Sequence, residues 1–135
     1  MPVVARDDTP STRPLLDKLG VKPGFRVAVL GLDDPGFVRL LGTRTPDVYV
    51  GRRRVGLDQM FVRFGRREEL TRLRTHKAFI EKDGAVWALW PKGSKAINEN
   101  DVRDAALGVG LVDVKVVSFS PELSALKLIY RLKDR

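Results

Sequence analysis

Two stretches of this chain are apolar at nearly every position, residues 25–32 and 85–90. Unbroken runs this short read as strands covered on both faces, the pattern of a parallel sheet flanked by helices. Residues 111–119 and 123–132 alternate apolar and polar instead, and only Ser120, Pro121 and Glu122 join them. So short a link pairs two strands antiparallel. Two more strands are expected at 47–51 and 57–64, the second carrying Phe61, Val62 and Phe64. Helical spacing predicts helices at 15–19, from Pro35 to about Leu41, at 66–79 on Leu70, Leu73 and Phe79, and at 99–107. Gly20 ends the first of these, Asp33 or Asp34 caps the second, and Asn98 or Asn100 caps the last. Asp83-Gly84 reads as a turn and residues 52–54 as a loop.

Residues 1–13 are polar and without period, and are expected to be a flexible arm, with a single domain over 14–135. Within it the predicted order is α-β-α-β-β-α-β-α-β-β. The implied class is α/β and Rossmann-like: an abbreviated methyltransferase-like three-layer sandwich, its sheet mostly parallel and closed by a C-terminal antiparallel hairpin. The two most apolar strands, 27–30 and 85–90, are expected side by side in the sheet centre.

Three blocks carry a family likeness: LLDKLGVKPGFRVAVLGL at 15–32, DGAVWALWPK at 83–92 and GLVDVKVVSFSPELSALKLIYR at 110–131. Through them the chain resembles a bacterial domain-of-unknown-function family, the one numbered three thousand and fifty-two. The resemblance covers most of residues 14–132. It implies a class I methyltransferase-like fold and no particular activity. That family often has Trp-Ser-Gly or Trp-Ser-Ala in the last turn, where this chain has Leu123-Ser124-Ala125.

Charge changes the picture. The net charge is +8, and residues 39–77 alone carry +7. A concentrated basic field attracts phosphate-bearing partners. Arg52, Arg53, Arg54, Arg66 and Arg67 are therefore candidates for weak, salt-sensitive nucleic-acid contact, although no motif that reads bases accompanies them. The plain alternative is a solvated, arginine-rich surface. The absence of cysteine removes disulfides, thiolate metal sites and cysteine nucleophiles. His76, the only histidine, is expected at the surface or its boundary. No signal-peptide pattern and no membrane-length apolar segment is present, so a cytoplasmic protein without a membrane partner is expected.

Two sites stand out. The loop of Gly31, Asp33, Asp34 and Gly36 joins a strand to a helix, where open α/β sheets bind ligands. It is not a Walker loop, because Phe37 and Val38 replace the lysine and hydroxyl. Its carboxylates would repel phosphate and suit the ammonium of an adenosyl amino acid. The plainer alternative is a carboxylate-capped turn. After the 47–51 strand, Gly51-Arg52 stands where an acid would hold ribose hydroxyls. The second candidate is Trp90 with Lys92 and Lys95, an aromatic face beside two cations. Trp87 and Trp90 differ in parity and should face opposite sides of the sheet.

These residues read as a noncatalytic Rossmann-like domain that binds a nucleotide-like or phosphorylated ligand, or a macromolecular partner, between 31–36 and 90–95. The alternatives are an S-adenosylmethionine-dependent methyltransferase and a basic nucleic-acid-associated protein. With neither G-x-G nor the acid after the second strand, tight S-adenosylmethionine binding is not expected and the cofactor stays unidentified. A small ligand, a protein partner and self-association all remain open.

Overall fold

The computed structural model describes residues 5–7 and 14–135. Among the described residues seven strands form one sheet: β1 (Ala5–Asp7), β2 (Val27–Leu30), β3 (Val48–Val50), β4 (Leu57–Arg63), β5 (Ile80–Pro91), β6 (Leu111–Ser118) and β7 (Leu123–Tyr130). Their order from edge to edge is β3-β2-β4-β5-β7-β6-β1. Strands β2 to β5 are parallel, β7 runs antiparallel to both β5 and β6, and β1 lies parallel to β6. The expected α/β class and the C-terminal hairpin are both present.

Side-chain parity splits the core in two. On one face Val29, Phe61, Trp87 and Leu89 pack under α1 (Leu15–Lys18) and α2 (Pro35–Gly42). On the other, Met60, Val62, Val86 and Trp90 pack under α3 (Leu73–His76) and α4 (Glu99–Gly108). Each buried large apolar side chain contributes roughly 1.5–3 kcal/mol. Burial on both faces therefore explains why β4 and β5 sit inside the sheet.

Several expectations are corrected. β2 and β5 are not neighbours, because β4 lies between them, although both are interior. Residues 5–7 of the supposed arm add a strand to the far edge, and the rest of that arm lies outside the described residues. The helix at 66–79 is broken into a 3-10 turn (Arg67–Arg72), α3, and a second 3-10 turn (Lys77–Phe79). The residues it turns inward are Leu70, Leu73 and His76, with Phe79 half-buried. A period of three fits the tighter helix, in which residues i and i+3 eclipse. Asp83-Gly84 is no turn either, since β5 runs through it. A Cβ at Gly84 would lie 2.8 Å from the Asp58 carbonyl, so glycine is there to let two backbones meet where the β4–β5 register shifts and β5 carries the extra residues.

One connection is unusually short. β3 and β4 flank β2 on opposite sides and are both parallel to it, yet only six residues, 51–56, join them. A crossover of this kind ordinarily takes about a dozen residues or more, usually a helix. Here a strap carrying Arg52, Arg53 and Arg54 replaces it.

Candidate functional site

Chain order reverses at β2, with β3 on one side and β4 on the other. In open α/β sheets the ligand crevice lies at such a point, beyond the carboxyl ends of the strands. Here those ends present Gly31 and Arg63. Gly31 has φ +69°, and a Cβ on it would approach the Arg63 carbonyl to 3.1 Å. Only glycine both adopts that turn and lets β2 end flush against β4.

The chain then enters α2. Asp34 caps it, its Oδ1 accepting from the Phe37 amide at 3.0 Å. The helix start thus supplies its own carboxylate, which is the capped-turn reading and closes that position to a ligand anion. Asp33 and Asp34 both line a cleft of about 340 Å³ with Leu32, Pro35, Val38, Arg39 and Val50, but Asp33 differs in being exposed. Val50, at the end of β3, is 53% exposed and gives the cleft an apolar wall. Gly36 lies in the exposed first turn of α2.

At the end of β4, Glu69 folds back and accepts from the amides of Gly65 at 2.6 Å and Arg66 at 3.2 Å. The Gly65 hydrogen bond holds the Glu69 carboxyl below the usual carboxylate range, helped by Arg66 and Arg72 nearby. The Arg63 side chain stays exposed beside this loop.

The second sequence candidate is not part of this cleft. Trp90 is 5% exposed and belongs to the core, so its face is not free for stacking. Trp87, on the opposite face as parity required, is fully buried. Lys92 donates to the Ser118 hydroxyl at 2.5 Å, and Lys95 is exposed, its carbonyl accepting from Arg67 at 3.3 Å. β4 separates the carboxyl ends of β2 and β5, and the cleft at Asp33 is lined by none of these three.

The arginines are less free than a solvated surface would leave them. Arg53 lies over Phe79 at 4.8 Å, and Arg52 and Arg54 lie over Tyr49 at 5.5 and 5.2 Å. Arg54 also donates to the Tyr49 hydroxyl at 2.5 Å. Arg67 pairs with Asp101 at 3.5 Å, while Arg66 is exposed. His76 corrects its expected surface position: it is 6% exposed and edge-on to Phe64. Burial, then the charges of Arg53 and Arg72, lower its pKa to about 4, so it is neutral at pH 7. Among the described residues no group of side chains is arranged to hold a metal ion, and no helix is long and apolar enough to cross a membrane.

Arg39 and Val50 line the cleft, and Arg63 stands beside it at the end of β4, without having been singled out from the sequence. Nothing in their local pattern marks them, because the topology alone brings the ends of β2, β3 and β4 together.

No family model matches the chain, and no curated protein matches it in sequence. Its fold is similar to that of solved methyltransferases. Magnesium protoporphyrin IX methyltransferase from Synechocystis, with bound S-adenosylmethionine, has a TM-score of 0.66 at 13% identity, over 86% of this chain and 74% of its own. A putative methyltransferase from Thermoplasma acidophilum has a TM-score of 0.62 at 6% identity, over 98% and 83%. Aeropyrum pernix fibrillarin, with natively bound S-adenosylmethionine, has a TM-score of 0.53 at 14% identity, over 80% and 67%. At such identities the likeness is one of fold. The chain has a class I methyltransferase-like fold. The noncatalytic binding reading is corrected by this finding, since its neighbours favour the methyltransferase alternative.

Proposed function

We propose that this chain is a reduced S-adenosylmethionine-dependent methyltransferase domain, a member of the bacterial group that its three sequence blocks resemble. One observation carries the reading. At the point where strand order reverses, a turn that only glycine can make opens onto a cleft holding an exposed carboxylate, Asp33. The likeness to structures with that cofactor bound supports it.

The residues present fit the cofactor in three respects. Asp33 offers a charge partner for an ammonium or an acceptor for ribose hydroxyls. Leu32, Val38 and Val50 give apolar walls for an adenosyl group. Gly31, just outside the lining, lets β2 end against the Arg63 carbonyl and so sets the turn that carries Asp33. The acid expected after β3 is missing, with Gly51 and Arg52 in its place, so binding is expected to be modest. When bound, the cofactor supplies an electrophilic methyl group. What the chain supplies is position: the rigid ends of β2 and β4 fix the turn, and Asp34 fixes the start of α2.

Thermal shift and calorimetry with S-adenosylhomocysteine test this directly. Ligand at a hundred times its Kd adds about 2.7 kcal/mol, so a rise of several degrees is expected in this domain. Losing a charged hydrogen bond removes about 1.5–3 kcal/mol, so Asp33→Asn should weaken binding about tenfold or more. No shift at millimolar ligand, or equal shifts in wild type and Asp33→Asn, overturns the assignment.

A further inference from the structure

A second cleft, of about 400 Å³, opens toward the other end of the sheet, where β4 begins and β7 finishes. Lys22, Lys127 and Arg135 line it. Lys115 faces Lys127 across the β6–β7 ladder and donates to the Lys18 carbonyl at 3.0 Å. Two acids also border the cleft, Asp58 and Asp83. The Asp58 Oδ2 accepts from the Arg26 amide at 2.9 Å. Among the described residues no carboxylate forms an ion pair with Lys22, Lys127 or Arg135.

An ammonium drawn partly out of water and surrounded by like charges is costly until an anion joins it. Lys127 is in that situation: burial first, then Lys115, Lys22 and Arg135, lower its pKa. A second, independent observation points to the same cleft. Gln59 is 2% exposed, and its Nε2 donates to the Leu19 carbonyl at 2.8 Å. Its Oε1 has no partner. A buried acceptor left unbonded costs about 1–3 kcal/mol, and Gln59 lines the cleft, so a donor reaching Oε1 from there would relieve that cost.

We infer that this cleft is a ligand site separate from the one at Gly31, built for a small phosphate monoester. Its phosphate is held by Lys127, Lys22 and Arg135, and a hydroxyl of the same molecule donates to Gln59 Oε1. A dianion matches three unpaired cations better than a carboxylate does. The inference does not depend on the methyl-donor reading, because the two clefts share no lining residue.

Nitrogen-15 NMR of the full chain tests it, with glycerol phosphate, inorganic phosphate and acetate added at constant ionic strength. Glycerol phosphate is expected to give saturable shifts at the amides of Gly20, Gly84 and Lys127, leaving Gly31 and Phe37 unmoved. Inorganic phosphate should shift the same amides more weakly, and acetate more weakly still. Lys127→Gln should reduce the affinity at least tenfold without lowering the melting temperature, since it removes a desolvated cation. Lys22→Gln, an exposed change that leaves the core alone, should weaken binding a few-fold. Shifts that stay linear and spread over Arg52–Arg54 and Arg66 mean diffuse charge attraction and overturn the inference. So does acetate binding as strongly as phosphate, or unchanged affinity in both variants.

Discussion

His76 sits buried against Phe64 with both ring nitrogens unbonded. A histidine held neutral in the native state affects stability in one direction only. Its native pKa of about 4 lies below the ordinary 6.5. Between those values the unfolded chain takes up a proton and the native chain does not. Its contribution is therefore complete above pH 6.5 and is lost as pH falls toward 4, by at most about 3 kcal/mol. His76→Phe should remove that part of the pH dependence, and by eliminating two unbonded polar atoms it should not destabilise the protein at pH 7. Urea unfolding at pH 7 and pH 4.5 measures this, and equal losses in the two proteins would contradict it. Glycine carries the other prediction about single side chains. The Cβ of Gly84→Ala would meet three carbonyls, at 2.8, 3.0 and 3.1 Å, all of them backbone that cannot swing away. A cost of about 2–4 kcal/mol is expected, read as a lower urea midpoint. Neither residue revealed its setting in the sequence. Asp-Gly spells a turn locally, and a histidine among Arg74, Thr75 and Lys77 looks exposed.

The strap at 51–56 is the element that departs most from an ordinary crossover. Its guanidinium groups cover Tyr49 and Phe79, so they close the sheet face that a helix would otherwise shield. Exposed cation–π contacts are worth about 0.5–1 kcal/mol each. Replacing Arg52, Arg53 and Arg54 together by Glu should then cost about 1–3 kcal/mol, besides abolishing retention on a polyanion column. Loss of retention at unchanged stability would mean that the stacking contributes nothing. α4 offers a simpler case. Asn98 accepts from the Asp101 amide at 2.9 Å, while the Asp101 carboxylate accepts from the Asn98 amide at 3.0 Å. Asn98→Ala should cost about 1 kcal/mol in thermal unfolding. That cap was readable in the sequence, since capping is a contact between residues three apart. The strap was not, because its partners Tyr49 and Phe79 are brought to it by β3 and by the 3-10 turn before β5.

Across the molecule, stability should follow neighbours on both edges and both faces. β4, β5 and β7 each have a strand on either side, whereas β3 is a three-residue edge strand ending in an exposed Val50. Native-state hydrogen exchange should therefore show the greatest protection in β4, β5 and β7 and the least in β3. Protection of β3 equal to that of β5 would mean that its edge is covered in solution. The class of fold, the hairpin at 111–130, the two-faced burial of β5 and the cap of α4 all follow from local periodicity and short-range contacts, which a linear sequence records. The order of strands does not: β2 and β5 are equally apolar, and nothing local says that β4 divides them. The same holds for the cleft at Asp33, whose wall Val50 belongs to another strand, and for the one beside Lys127, whose cations come from a loop, a strand and the chain end. These sites join residues far apart along the chain, and only the packing of the sheet fixes which of them meet.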